Sequence, residues 1–266
     1  MFYPRLFVKF VKIRWRSQLE YPMAYFLGIV AQWTGYGFQF AVMWIMVNAF
    51  GLLGSWQPME VLFLYAMNLF SYALGAAFTF NIAQSLPEMV RTGSFDDVLI
   101  KPVHSLVYLL SANINVGYVS HFTLAVAAMA VSFKTLGLLM TPMKALWLVA
   151  ALLGGALIHG SFILLTTLPS LFIVSENHWG FLYWGLKDIL DYPLAIFGRP
   201  VQLLFTFVLP YSFINFYPAQ PLLEKSDLLL FPPFIQYMTP LVGLVLACLT
   251  ALAWWKAAQK YESTGS

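Results

Sequence analysis

The sequence predicts an all-α integral membrane protein: six transmembrane helices, an amphipathic interfacial helix before them, and both termini in the cytoplasm. Three observations predict it. Hydrophobic residues fill 61% of 266 positions and charged ones only 9%, with a mean hydropathy of +0.76, whereas soluble domains carry about 25% charged residues. Six stretches match the roughly 20 apolar residues a helix needs to cross about 30 Å of hydrocarbon. Basic residues gather at alternate ends of those stretches, as the positive-inside rule requires. This composition excludes soluble enzymes, disordered chains and nucleic-acid binders. No loop between the stretches is long enough for a second folded unit, so residues 1–266 are read as one transmembrane domain. The single cysteine, Cys248, rules out an intramolecular disulfide.

The first element is a helix over 2–20. Arg5, Lys9, Lys12 and Arg16 are spaced 4, 3 and 4 apart and form one stripe, while Phe2, Tyr3, Leu6, Phe7, Phe10 and Val11 fill the other side. Such a helix lies in the headgroup plane with its cations toward anionic lipid. It either anchors the chain or also braces a cytoplasmic partner. Its basic region is too long for a signal peptide, and no small-residue cleavage site follows.

Spans one and two are expected at 23–49 and 59–82. The loop 85–101 carries two helix-start patterns: Ser85 with Glu88, Pro87 being tolerated in a first turn, and Ser94 with Asp97. Gly93 supplies a stop between them, and Pro102 ends the second short helix. The loop is either a helical connector or a docking element whose polar contacts are Glu88, Arg91, Asp96 and Asp97. Spans three and four follow at 105–132 and 143–174. The stretch 176–199 is placed as an interfacial helix. A seven-span reading, with 179–197 crossing, would put Lys187, Asp188 and Asp191 in hydrocarbon at several kcal/mol each. Span five, 200–217, is short and interrupted by Pro210; span six is 237–257. Between them 218–236 is an outer loop, and its proline-bracketed part 219–235 is a candidate membrane-dipping helix. Gly243, Ala247 and Ala251 recur every fourth residue in the last span, which permits close helix packing within the chain or with a second copy.

With the N-terminus inside, the cytoplasmic segments hold eleven basic residues, Lys187 and Arg199 among them, and the outer segments hold three: Lys134, Lys144 and Lys225. No acidic residue falls in the middle of a predicted span, which lowers the class of ion- and proton-coupled carriers. Polar residues within the spans include Gln32, Gln39, Asn68, Asn113, Asn115, His121 and His159. Without a third ligand, the two histidines read as hydrogen-bond partners between helices rather than as a metal site. No His-Glu-x-x-His helix and no defensible Ser/His/Asp grouping occurs. The phosphate-binding Gly-x-x-x-x-Gly-Lys-Ser/Thr is absent too, so any ATP hydrolysis belongs to another polypeptide.

The order of elements, the loop Pro-Glu-x-x-Arg-x-Gly-Ser-Phe-Asp-Asp-x-Leu-x-Lys-Pro over 87–102 and the stretch from Leu209 to Ala219 together resemble the six-span permease subunits of ABC-2 type ABC exporters. The likeness is to the small bacterial branch without a fused ATPase. It covers essentially the whole chain, but only those two stretches are specific. It implies that 85–101 is the coupling element seated in the ATPase, with Pro87, Glu88, Arg91, Gly93, Asp96, Asp97 and Lys101 at that interface. It implies that residues 2–18 form the connecting helix. It further implies two ATPase subunits holding ATP and Mg, no cofactor on this chain, a second permease (identical or related), and a bacterial cytoplasmic membrane. By analogy the pathway is lined by spans one, two and five, with Gln32, Gln39, Tyr65, Asn68, Tyr72, Phe207 and Tyr211 as candidates; ordinary packing is the alternative for each. Substrates in such permeases are apolar drugs, lipids, lipid-linked glycans or peptides, and the sequence selects none. The competing function class is a polytopic membrane enzyme or assembly factor acting on lipids.

Overall fold

The computed structural model describes residues 2–50, 55–173, 180–227, 229 and 231–263, and the helical side chains other than those of 2–6, 43, 46–50, 181, 182 and 188. All regular structure among these residues is helical. The α-helices are α1 (Phe2–Leu19), α2 (Pro22–Phe50), α3 (Pro58–Arg91), α4 (Asp96–Leu99), α5 (Ser105–Ala112), α6 (Val119–Leu136), α7 (Pro142–Thr167), α8 (Gly180–Lys187), α9 (Arg199–Leu203), α10 (Phe216–Leu223) and α11 (Thr239–Gln259). Among the described residues four helical stretches are long and apolar enough to cross a membrane: Pro58–Arg91, Val116–Leu136, Pro142–Leu171 and Thr239–Gln259. α2 occupies the first predicted span and is about 43 Å long at 1.5 Å per residue. Gln32, Trp33, Tyr36 and Gln39 interrupt its aliphatic run and keep it out of that set.

α3 is the axis of the bundle, its side chains buried along most of its length. It runs parallel to α7: Ser71 packs at Leu152 and Gly155, and Gly75 at Ala156 and Gly160. It runs antiparallel to α6, through Phe63–Phe133 and Phe70–Phe122 edge contacts at 4.8 and 4.9 Å. α11 lies along the other side of α7, where Gly243 meets Gly154. Small residues set these approaches, because between spans close van der Waals packing takes the place of the hydrophobic effect. The bundle therefore has two ends. One carries Glu60, paired with Lys225 at 2.7 Å, and Lys144, paired with Glu224 at 2.6 Å. The other carries Glu88.

Several expectations need correction. The predicted third span is two helical pieces, α5 and then Val116–Leu136, not an unbroken helix over 105–132. Asn115 N donates to the Ala77 carbonyl at 2.8 Å, Asn81 Nδ2 to the Asn113 carbonyl at 3.0 Å, and Asn115 Oδ1 accepts from Gly117 N at 2.9 Å. These asparagines satisfy a backbone broken inside the bundle, as a low-dielectric setting demands. The fourth helix ends at Thr167, a turn over Leu168–Leu171 follows, and the predicted end at 174 lies outside the described residues.

The largest correction concerns 176–217. The described part of 176–199 is not a surface helix. From Gly180 to Asp191 it runs against α3 in the opposite sense, with Trp184 at Phe80 and Leu190 bridged to Leu64 by Asn215 Nδ2. The predicted fifth span, 200–217, is instead part of a hairpin. α9 continues as a π-helical turn over Leu204–Val208, the chain reverses at Leu209-Pro210, and it returns through Tyr211–Phe213 and α10. Pro210 cannot donate the hydrogen bond that would continue the helix. Ser212 Oγ instead donates to the Phe205 carbonyl at 2.7 Å and the Thr206 and Tyr217 hydroxyls meet at 2.9 Å, clamping the two limbs. The hairpin at 199–223 thus begins ahead of the stretch 219–235 in which a membrane-dipping helix was expected, and overlaps only its first residues. Arg199, counted among cytoplasmic residues, donates to the Leu229 carbonyl at 2.7 Å and stacks on Phe231, at the Glu60 end of the bundle.

α1 forms as expected, but its apolar face is partly covered by protein. Phe7 stacks near Phe78, Phe10 meets Tyr108 edge-on at 5.9 Å, and Arg14 Nε donates to the Ala112 carbonyl at 2.8 Å. Lys9, Lys12 and Arg16 are exposed as a stripe, and the Arg5 side chain lies outside the described residues.

Candidate functional site

Two places concentrate the predicted residues. The first is the Glu88 end. α3 runs through Pro87 to Arg91, so the expected helix start at Ser85 is overturned: its hydroxyl donates back to the Asn81 carbonyl at 2.8 Å, a bond available to serine inside any helix. Gly93 does stop the helix, at φ +73° in the left-handed region that favours glycine. The predicted cap at Ser94 is also absent; Ser94 pairs with Thr92 at 3.0 Å, and Phe95 precedes α4.

The tip is a folded wedge. Phe95 and Val98 are its buried base, with Phe95 against Trp254 and, at 5.0 Å, Tyr261. Trp254 Nε1 donates to Ser105 Oγ at 3.1 Å, and Ser263 Oγ to Asp96 Oδ2 at 2.7 Å. Burial and the adjacent Asp96 carboxylate push the Tyr261 phenol above its ordinary range. The outer face carries exposed Glu88 and Arg91, joined by a two-point pair with contacts of 2.6 and 2.8 Å, together with Asp97, Leu99 and Ile100, the last 80% exposed. Lys101 turns away over the Tyr108 ring. Of the predicted interface residues, Glu88, Arg91 and Asp97 therefore share an open face, while Asp96 and Lys101 are engaged by the protein.

The second place is inside the bundle. Lys187 and Asp191 are 6% and 5% exposed. Gln39 Nε2 and Asn68 Nδ2 donate to the two Asp191 carboxylate oxygens at 2.9 and 2.8 Å. His159 lies between Asn68 Oδ1 at 3.0 Å and the Tyr183 hydroxyl at 2.9 Å. A neutral imidazole with its proton on Nε2 fits both, donating to Asn68 and accepting from Tyr183. Lys187 Nζ sits over the Tyr72 ring at 5.0 Å, and Tyr72 shares a hydroxyl contact of 3.2 Å with Tyr118. One continuous polar network thus joins α2, α3, α7 and the 180–191 segment. Asp191, expected on an interfacial helix outside the spans, is instead buried inside the bundle. The cost of burying the Asp191 carboxylate is offset here by hydrogen bonds from Gln39 on α2 and Asn68 on α3.

The pathway candidates divide accordingly. Gln39, Asn68 and Tyr72 belong to the network. Tyr65 stands one turn away, its hydroxyl 3.4 Å from the Tyr36 carbonyl. Gln32 instead accepts from Ser120 between α2 and α6. Tyr211 packs on Phe162 at 4.4 Å in the hairpin, and Phe207 is exposed beside Phe231. Sequence reasoning missed Lys187, Asp191 and Tyr183 as members and Trp254 as the prop of the tip. His159 serves as the hydrogen-bond partner expected of it. No group of three or more metal-ligating side chains occurs among the described residues.

A family model described as ABC-2 family transporter protein matches residues 34–265. No curated protein and no solved structure matches.

Proposed function

The chain belongs to the ABC-2 family of transporter proteins, and on that premise we propose that it is the permease of an exporter driven by separate ATPase subunits. Membership makes it a membrane-embedded transporter component that works with an ABC ATPase, in a family whose permeases are generally non-catalytic. Beyond that, the proposed assembly is two permeases, identical or related, with two ATPases holding ATP and Mg, in a bacterial cytoplasmic membrane. The proposed cargo is an amphiphilic, drug-like or glycan-bearing molecule moved outward.

The exposed wedge carries this reading. A loop meant only to join two spans has no need of a buried base packed against the far end of the last helix. This one holds Phe95 between Trp254 and Tyr261 while presenting Leu99 and Ile100 to solvent beside Glu88, Arg91 and Asp97. An exposed apolar pair rimmed by charge fits a protein partner. Charge supports the orientation. With Lys187 inside the bundle and Arg199 at the Glu60 end, nine basic residues remain at the Glu88 end and four at the other. That bias supports a cytoplasmic wedge. Closure of the ATPases would push on the wedge and tilt the helices that hold it, α3 directly and α11 through Trp254.

The test is a pair of tip variants in affinity-purified permease. Glu88→Lys and Ile100→Asp alter only exposed groups, so yield and melting behaviour should match wild type. Retention of the ATPase subunit should fall about tenfold, as loss of charge complementarity or of an apolar anchor predicts. Full retention with full substrate-stimulated hydrolysis in both variants would contradict the coupling role.

A further inference from the structure

We infer that the flank of the bundle between α3 and α11 is a binding site for an acyl chain of a bilayer phospholipid. The two helices both pack along α7 but hardly touch one another. Between them lies an open groove of about 860 Å³ floored by α7, within the size range of ligand pockets. Its floor is recessed because the contacts on either side are backbone to backbone. A Cβ added at Gly75 would stand 2.5 Å from the Ala156 carbonyl oxygen, and one at Gly243 would stand 2.5 Å from that of Gly154. With the helices this close, small residues such as Ala150, Gly160 and Ala247 leave the gap unfilled.

The lining identifies the occupant. It is aliphatic apart from Phe78 and a few hydroxyls, and Thr79 and Thr250 donate theirs to the Gly75 and Leu246 carbonyls of their own helices. No charged side chain lines it, and water does not enter apolar cavities of this kind. Left empty, the walls would lose dispersion contacts. The groove follows α7 from Ala150 to Leu164, about 21 Å at 1.5 Å per residue, inside the roughly 30 Å of membrane hydrocarbon. Leu153, Leu157 and Leu244 stand exposed at its mouth, continuous with the apolar face that Leu241, Leu249 and Leu252 turn outward. Whatever reaches this mouth comes from the lipid phase, and the surrounding hydrocarbon is acyl chain. Such a chain supplies the contact that α3 and α11 do not make with each other.

The experiment needs neither an ATPase nor a transport substrate, so it stands or falls apart from the proposed function. The purified full chain is placed in vesicles of phosphatidylethanolamine and phosphatidylglycerol containing a phosphatidylethanolamine with a photoreactive acyl chain. Label should concentrate on residues 150–164 and 240–251. Ala247→Phe and Ala150→Phe fill the groove and should each lower that labelling about tenfold. Leu249→Phe, on the outward face of the same helix, should leave it unchanged. Wild-type label spread evenly over all lipid-facing helices would overturn the inference by itself. So would undiminished groove labelling in a folded filling variant, or exclusion of lipid from the groove by a second copy of the chain.

Discussion

Replacing Asp191 with Leu is expected to destabilise the protein by about 3–5 kcal/mol, the cost of removing one member of a buried charge arrangement. The substitution takes the acceptor from two buried amides, Gln39 Nε2 and Asn68 Nδ2, and leaves Lys187 buried without the negative charge four residues along the chain. Asp191→Asn keeps an acceptor oxygen and should cost less. Changing both charges, Lys187→Met with Asp191→Leu, should recover part of the loss, because two buried charges of opposite sign are then removed together. The measurement is the apparent melting temperature in mild detergent, where Asp191→Leu should fall by about 10 °C. A single variant melting like wild type would show that the network does not hold the 180–191 segment to α3. A double variant no better than the single would assign the loss to the two amides left without their acceptor rather than to Lys187.

The second large effect is steric. At Gly75 an added Cβ would lie 2.5 Å from the Ala156 carbonyl oxygen and 2.9 Å from Gly160 N, both backbone atoms that cannot swing away. Gly75→Val should therefore force α3 off α7 and cost about 1–3 kcal/mol or more. Gly37→Ala is the contrast. A Cβ added there, on α2, would meet no other part of the protein within 4 Å, so helix propensity alone acts and stability should hold or rise. Both are read from folded yield and melting temperature in the same detergent. A Gly75→Val protein as stable as Gly37→Ala would mean that the α3–α7 contact is looser than described.

Three long helices and the fold of the wedge were legible because their signals are local. Length and hydropathy suffice for α3, α7 and α11. Gly93 followed by an acidic turn and Pro102 announces a stop and a short helix wherever it occurs. The pattern at Ser85 misled because serine followed three residues later by glutamate reads the same inside a helix as at its start. Asn113 and Asn115, two apart in an apolar run, do signal a broken crossing, since such a break exposes backbone groups that amide side chains can satisfy. The 176–217 region was least legible. Weighing Lys187 and Asp191 as isolated charges argues for the surface, yet their cost depends on Gln39, Asn68 and Tyr72, which lie far away in sequence on other helices. Arg199 misled in the same way: its partner Leu229 is thirty residues on, and charge counting assigns sides only after the crossings are correct.

The claim on which the functional account rests is that this permease works with a separate ATPase that docks on the wedge. The most direct measurement is ATP hydrolysis by the wild-type complex purified from its own membranes in mild detergent, with identification of the bound chains. The account predicts a copurifying polypeptide bearing a Gly-x-x-x-x-Gly-Lys-Ser/Thr loop, together with vanadate-sensitive hydrolysis that falls with that subunit when Glu88 is replaced by Lys. Wild-type permease that is intact but carries no such subunit and no hydrolysis would contradict it and favour a membrane protein acting on lipid unaided.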